Sequence, residues 1–248
     1  MEFSNRIAVV TGGASGIGAA AAAALKAEGA TVVTWDLSDA ADIRVDTSDE
    51  ASVIAAADET VKRFGAPSLL VAAAGISGPA APVNELDFTQ WSRTFGVNMH
   101  GIFLSVKEVS KRAIEAGLDG SFILISSVQG TIADPGLAAY SSTKAAVNHF
   151  ARVAAVDLGQ HGIRVSAVGP GPTSTPMTAP LAASGTWTKE VEDVTPLHAV
   201  GKPEQIAAAI VNLMRADWIT GQVVNVDGGS SLITARGASR AKIAPKNQ

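Results

Sequence analysis

The sequence predicts an α/β fold, a single domain built on a doubly wound parallel sheet of about seven strands with helices on both faces. Three observations predict it. Short β-branched runs alternate with longer, alanine-rich amphipathic stretches along most of the chain. The runs VVT, SLLVAAA and FILIS are apolar almost without interruption, as strands covered on both faces are. No internal repeat or low-complexity linker divides the 248 residues, a length that suits one large domain. Such alternation is joined by right-handed crossovers between parallel strands.

The elements follow in order. Residues 7–10 form the first strand, and a glycine-rich turn leads into a helix that runs to about Glu28, stopped by Gly29. Residues 31–35 and 43–45 are the next two strands. Thr47 and Glu50 have the spacing of a capping box, opening a helix to about Phe64. A fourth strand at 69–73 precedes a long helix at 88–116, and a fifth at 122–125 precedes another at 137–159. The sixth strand is 163–168. Pro203, at a first helical position, opens a helix to about Arg215, and 223–226 closes the series. Two segments break the rhythm. Residues 172–200, rich in Pro, Thr and Ser, read as a lid or substrate-binding loop rather than a plain connection. The domain is placed at 1–235, leaving 236–248 as a basic tail (Arg236, Arg240, Lys242, Lys246), either disordered or set against a partner subunit.

Composition removes whole classes of chemistry. With no cysteine there are no disulfides, thiolate nucleophiles or zinc–thiolate sites. The four histidines (His100, His149, His161, His198) include no pair at metal-ligand spacing, so no metal is expected. A formal charge of −4 gives no electrostatic case for nucleic acid or an acidic membrane. No apolar run has the length of a membrane span, and the N-terminus lacks a secretory pattern, so a cytoplasmic protein is expected.

After the first strand comes Thr11-Gly12-Gly13-Ala14-Ser15-Gly16-Ile17-Gly18. Glycines there let the backbone approach a pyrophosphate and turn sharply into a helix, whose free N–H groups and dipole face the anion. Asp36 ends the second strand, placed to accept hydrogen bonds from the adenosine ribose hydroxyls. Its charge repels a 2′-phosphate, and positions 14, 15, 37 and 38 hold no Arg or Lys to attract one, so NAD is favoured over NADP.

The chain has one tyrosine, Tyr140, four residues before Lys144 at the start of a helix, which places phenol and ammonium on one face. A free phenol titrates near pH 10 and is a poor base at neutrality. Lowering it by two or three units takes about 3–4 kcal/mol of preference for the phenolate. A lysine cation about 4 Å away supplies about 4 kcal/mol at an effective dielectric of 20. The pair is therefore able to exchange a proton with an alcohol.

In combination these motifs resemble the short-chain dehydrogenase/reductase family over about residues 5–230, which implies a Rossmann-type sheet. TGGASGIG has that family's spacing, G-x-x-x-G-x-G. Ser127, thirteen residues before Tyr140, stands at the family's catalytic serine, whereas Ser126 is one residue off and is read as structural. Asn98, in VNMHG, matches the catalytic asparagine. Pro170-Gly171, with Thr173 and Thr175, is similar to the segment that holds the nicotinamide carboxamide, and ITGQVVNVDGG is similar to the closing strand. The resemblance implies hydride transfer between a secondary alcohol and a ketone. Tyr140 is then general acid/base, Ser127 holds the substrate oxygen, Lys144 lowers the phenol pKa and bonds the nicotinamide ribose, and Asn98 positions a water leading to solvent. It implies a cofactor set of Gly12, Ser15, Gly16, Ile17, Gly18, Asp36, Leu37, Asp46, Thr47, Ala74, Gly75, Asn98, Tyr140, Lys144, Pro170, Gly171, Thr173 and Thr175, with Asp46 on the adenine amino group. It also implies a homotetramer or homodimer paired through the two long helices.

The chain departs from the family pattern at several points. Ala72-Ala73-Ala74-Gly75 replaces the usual Asn-Asn-Ala-Gly, Ser166 stands where asparagine is common, and Gly169 precedes Pro170. Ser121 replaces the basic residue expected of a carrier-protein-dependent 3-oxoacyl reductase. Gln129, Ile132, Met177, Trp187 and His198 are candidate substrate contacts. They describe a mostly apolar pocket, suited to a neutral secondary alcohol or ketone, cyclic or aromatic. Three readings stand: an NAD-dependent alcohol dehydrogenase or ketone reductase, a 3-oxoacyl thioester reductase, and a catalytically silent NAD-binding scaffold or sensor.

Overall fold

The structure, a computed structural model, describes residues 1–232. Its strands are β1 (Ile7–Thr11), β2 (Thr31–Asp36), β3 (Ile43–Arg44), β4 (Leu69–Ala72), β5 (Gly120–Ile125), β6 (Ile163–Pro170) and β7 (Val223–Val226). Its helices are α1 (Gly16–Ala27), α2 (Glu50–Phe64), α3 (Phe88–Phe95), α4 (Gly101–Glu115), α5 (Ala138–Gly159), α6 (Ala179–Ala182), α7 (Trp187–Val194) and α8 (Pro203–Arg215). The seven strands form one sheet in the order β3-β2-β1-β4-β5-β6-β7, every neighbouring pair parallel. This is the doubly wound, Rossmann-type architecture that the strand–helix alternation predicts.

Both faces of the sheet are buried, and the period-two geometry of a strand divides its side chains between two cores. Val9, Val33, Leu70, Phe122, Leu124 and Val165 point to one side, where α2, α4 and α5 bring Val53, Val109 and Val147. Val10, Val32, Val71, Ile123, Ile125 and Val168 point to the other, against Leu25 of α1 and Ile206 and Ile210 of α8. Trp35, fully buried on the first side, keeps its indole N–H satisfied by donating to Thr60 Oγ1 at 3.0 Å.

Travelling from β1 the chain first moves outward to β2 and β3. It then returns to place β4 on the other flank of β1 and continues through β5, β6 and β7. Connections leaving the carboxyl ends of β1 and β4 therefore diverge to opposite faces. A crevice opens between them, the usual ligand position in sheets of this kind.

The structure corrects one sequence expectation about local form and refines two others. The N-cap of α2 is Asp49, whose carboxylate accepts from Ala51 N at 3.2 Å, and not Thr47. Thr47 is buried against Gly101, where its hydroxyl has left the helix end altogether. The helix expected at 88–116 is α3 and α4 joined by one π turn, Gly96–His100. Within 172–200 the short helices α6 and α7 give the supposed loop its own framework. The basic tail at 236–248 lies outside the described residues. Among the described residues, no helix is long and apolar enough to cross a membrane.

Reassigning the cap has a measurable consequence. Asp49→Ala should lower the unfolding free energy by about 1 kcal/mol, read from urea denaturation. A change indistinguishable from zero would remove Asp49 from that role.

Candidate active site

The crevice begins where β1 turns into α1. A methyl group at Gly18 would fall 2.1 Å from the Gly12 carbonyl oxygen, so only glycine lets the helix start so close to the strand. Gly12, with φ +64°, brings its α-carbon against the Ala74 backbone, 2.9 Å from where a side chain would begin. Ser15 stands at the N-cap of α1, yet its hydroxyl accepts from none of the first-turn amides. Those N–H groups remain directed at the crevice, as an anion-binding helix start requires.

Asp36, at the end of β2, turns its carboxylate back toward this cradle, accepting from Ala14 N and from Ser38 N, each at 3.1 Å. Arg44, paired in register with Asp36 on β3, turns away to the Leu37 carbonyl at 3.1 Å and to Asp39. Asp46 accepts from Ser48 N at 2.9 Å and Ser48 Oγ at 2.6 Å. At the end of β4, the segment in which alanines replace the family's two asparagines is held from the neighbouring strand. Thr11 Oγ1 accepts from Ala73 N at 3.0 Å and Ala74 N at 3.1 Å. Gly169 also has a steric reason: a side chain there would meet Asn225 Oδ1 at 2.5 Å and the Ser127 backbone at 3.4 Å.

The carboxyl end of β5 and the first turn of α5 converge on the lone tyrosine. Ser127 caps a 3-10 turn, Val128–Gly130, with its hydroxyl accepting from Gln129 N at 3.1 Å, and its side chain hydrogen-bonds the Tyr140 phenol. Ser126 binds the two elements together: its Oγ donates to the Lys144 carbonyl at 3.1 Å and its N–H to the Val168 carbonyl at 2.8 Å. Lys144 is buried, its Nζ donating to the Ile125 carbonyl at 2.9 Å and lying 5.5 Å from the centre of the Tyr140 ring.

The surroundings of these groups favour shifts other than the one the Tyr140–Lys144 spacing suggests. Burial pushes the phenol of Tyr140 above its ordinary value, and the Ser127 hydrogen bond opposes that only in part. Burial lowers Lys144 to about 8. The expected lowering of the phenol by the ammonium is therefore not present in this structure. Desolvation penalises both charged forms, and the ammonium points to the Ile125 carbonyl rather than to the phenol oxygen.

Asn98 occupies the π turn and is fully buried. Its Oδ1 accepts from Ile76 N at 2.8 Å, while its Nδ2 donates to the Ile76 carbonyl at 2.9 Å and to Thr143 Oγ1 at 3.3 Å. Thr143 Oγ1 in turn donates to the Tyr140 carbonyl at 2.7 Å. The side chain expected to position a water is thus engaged in holding the loop after β4 against the helix that carries Tyr140.

One cleft of about 560 Å³ joins these parts. It is lined by Gly12, Ser15, Gly16, Ile17, Gly18, Asp36, Leu37, Asp46, Thr47, Ala74, Gly75, Ser127, Tyr140, Lys144, Pro170, Gly171, Thr173 and Thr175, and by Gln129, Met177 and Trp187. Three expected residues do not line it. Asn98 is bonded to the Ile76 backbone, and Ile132 follows the 3-10 turn with its N–H donating to the Val128 carbonyl. His198 sits with φ +50° and directs Nδ1 to the Glu192 carbonyl, 3.1 Å away. Conversely, Arg93, Asp134 and Leu181 line the cleft and were not anticipated. Arg93 reaches the cleft from the last turn of α3, a placement that no strand-end pattern marks.

Whether a dinucleotide suits this cleft is answered by its own atoms. The glycine turn leaves its backbone open to the crevice as an anion site requires, the Asp36 carboxylate faces that turn, and Pro170-Gly171 lines the same cleft as Tyr140 and Lys144. The residues present fit the group.

Comparison with known proteins agrees. A family model described as enoyl-(acyl carrier protein) reductase matches residues 12–231. The chain is 37% identical over 248 residues to cis-4-hydroxycyclohexanecarboxylate dehydrogenase of Sinomonas cyclohexanicum, covering 93% of this chain and 98% of that protein. It is 35% identical over 240 residues to the 3-alpha-(or 20-beta)-hydroxysteroid dehydrogenase of Mycobacterium bovis, covering 91% and 89%. Among solved structures, gluconate 5-dehydrogenase from Burkholderia cenocepacia, in complex with NADP and tartrate, superposes with a TM-score of 0.87 at 28% identity, covering 93% and 97%.

The buried ammonium makes stability depend on pH in a defined direction. Its folded value, about 8, lies below the 10.5 of an exposed lysine, so between those values the unfolded chain binds more protons. Wild type should therefore gain stability relative to Lys144→Met as pH rises from about 8 to 10.5, by up to about 3 kcal/mol. Paired urea midpoints across that window test it, and a constant difference would show that the lysine is not depressed.

Proposed function

The chain belongs to the short-chain dehydrogenase/reductase family, and from that membership we propose that it interconverts an alicyclic secondary alcohol and its ketone with NAD(H), Tyr140 exchanging the proton on the substrate oxygen. It is an oxidoreductase whose fold takes a nicotinamide dinucleotide. The observation that carries the reading is the meeting of the Tyr140 phenol and the Ser127 side chain in the cleft that also holds the glycine cradle.

Oxidising a secondary alcohol removes a hydride from the carbinol carbon and a proton from its oxygen. The dinucleotide, when bound, supplies the hydride acceptor, or the hydride donor in the reverse direction. Tyr140 takes the proton in oxidation and returns it in reduction. Ser127, already bonded to the phenol, holds the substrate oxygen beside it, and Lys144 bonds the nicotinamide ribose. Asn98 acts through Ile76 and Thr143, positioning the loop and the helix on either side of the reacting atoms. Because burial raises the phenol, it is protonated near neutrality and prepared to act as the acid of ketone reduction. Oxidation requires the phenolate, so it gains from rising pH.

Asp36 supports NAD over NADP: its carboxylate faces the cradle, and Arg44 turns away from it. The two dehydrogenase relatives, named for a hydroxycyclohexane acid and for hydroxysteroids, support a ring-bearing alcohol. Met177, Leu181 and Trp187 support residues 172–200 as the lid over that ring. The exposed Phe103 of α4 and Val153 and Val156 of α5 support pairing of those helices in a homotetramer or homodimer. Ser121, buried in β5 where a carrier-protein reductase would present a base, weighs against the 3-oxoacyl thioester reading. A silent scaffold has no use for a serine bonded to the phenol.

Nicotinamide absorbance with a panel of cyclic alcohols and ketones is the direct test. Tyr140→Phe should cut turnover about 10²- to 10⁴-fold while dinucleotide affinity stays within about threefold. Full activity in that variant would sink the mechanism. The kcat/KM for oxidation should climb from pH 7 to 10 relative to that for reduction. Wild type should prefer NAD to NADP, and Asp36→Asn should narrow that preference by about tenfold.

A further inference from the structure

Two basic side chains line the cleft. Lys144 is buried, donates to the Ile125 carbonyl and is assigned above to the nicotinamide ribose. Arg93 is exposed, and its guanidinium makes no hydrogen bond, ion pair or ring contact among the described residues. The carboxylates that border the cleft all have donors of their own. Asp36 takes Ala14 N and Ser38 N, Asp46 takes Ser48, and Asp134 takes the Gln129 amide. Arg93 is thus the one charged group of the lining that lacks a counterpart among the described residues.

Its mounting is rigid. Thr94, its neighbour on α3, is buried beneath Gly78, and its hydroxyl donates to the Gln90 carbonyl at 2.8 Å. Asn98, beyond the end of α3, clamps Ile76 by two hydrogen bonds. The loop from Gly75 to Gly78 is thereby fixed over α3, and Arg93 borders the cleft together with Ile76 and Ser77 of that loop.

We propose that Arg93 receives the carboxylate of the substrate, so that the preferred substrates are alicyclic hydroxy acids and their keto acids. This rests on the dehydrogenase reading above. A guanidinium fork matches a carboxylate or a phosphate by two parallel N–H···O bonds. The other anion that enters the cleft, the dinucleotide pyrophosphate, already has a receptor in the glycine cradle and the start of α1. A substrate charge fixed at Arg93 and a hydroxyl fixed at Tyr140 hold the ring at two points. The carbinol carbon is then set by geometry rather than by apolar contact alone.

The test compares a hydroxycyclohexanecarboxylate with cyclohexanol in wild type, Arg93→Gln and Arg93→Lys. Wild type should favour the acid in kcat/KM. Arg93→Gln should raise KM for the acid about 10- to 100-fold, leaving the cyclohexanol and NAD constants within about twofold, and Arg93→Lys should recover part of the loss. Cyclohexanecarboxylate, added to enzyme with NAD and followed by calorimetry, should lose affinity by the same factor in Arg93→Gln. Turnover of cyclohexanol with no preference for the acid, or an acid preference unchanged in Arg93→Gln, overturns the inference and leaves the dehydrogenase reading intact. A rise confined to the NAD constant overturns it by assigning Arg93 to the cofactor phosphates. Turnover of neither alcohol by wild type overturns both.

Discussion

Everything in the site depends on one topological constraint: the chain reverses its course across the sheet between β1 and β4. Right-handed crossovers oblige the connection after β1 to leave by one face and that after β4 by the other. Two neighbouring strands therefore end with nothing above them. The glycines of the first turn, the alanines after β4 and the serines after β5 border that gap because they follow the strands nearest to it. The gap is a cleft whose floor includes buried Ser126, Ser127 and Lys144, where single hydrogen bonds and charges count for more than they do at the surface.

Substitutions within this frame are absorbed by neighbours rather than by the residue replaced. The alanines after β4 have no side-chain polar atoms, yet their amides are held by Thr11 across the β1–β4 pair. Ser166 accepts from Gln222 N at 3.4 Å, in the turn that leads into β7. Ser126 does for α5 what Thr11 does for the loop, tying the end of a strand to the backbone of the element that carries chemistry. In each case a hydroxyl with a fixed backbone partner ties one element to the next.

The fold was legible because its evidence is periodic: apolar runs for buried strands, and i, i+4 spacing for Tyr140 and Lys144. Ser127, the cradle and Asp36 were legible because their positions follow strand ends. What escaped notice depends on competition or on distance in sequence. Thr47 has the spacing of a cap, but Asp49 lies nearer the helix and accepts from it, while burial against Gly101 claims the threonine. Asn98 reads as a residue of the cleft until its side chain is seen to satisfy the Ile76 backbone. Arg93 and Asp134 reach the cleft from a helix and a turn that no local pattern connects. The direction in which Tyr140 is shifted escaped as well, since spacing reports a neighbouring charge but not the loss of water around it.

The π turn between α3 and α4 has a consequence of its own. One residue more than an α-helical turn holds advances the helical phase by about 100°. The stretch before it and the stretch after it therefore obey separate registers. The later one turns Val106 and Val109 toward the sheet, and the earlier one turns Arg93 to the cleft. The extra residue acts as a gear offset between the half that packs on the sheet and the half that borders the cleft. Loss of one residue there would leave a perfectly good helix aimed in the wrong direction.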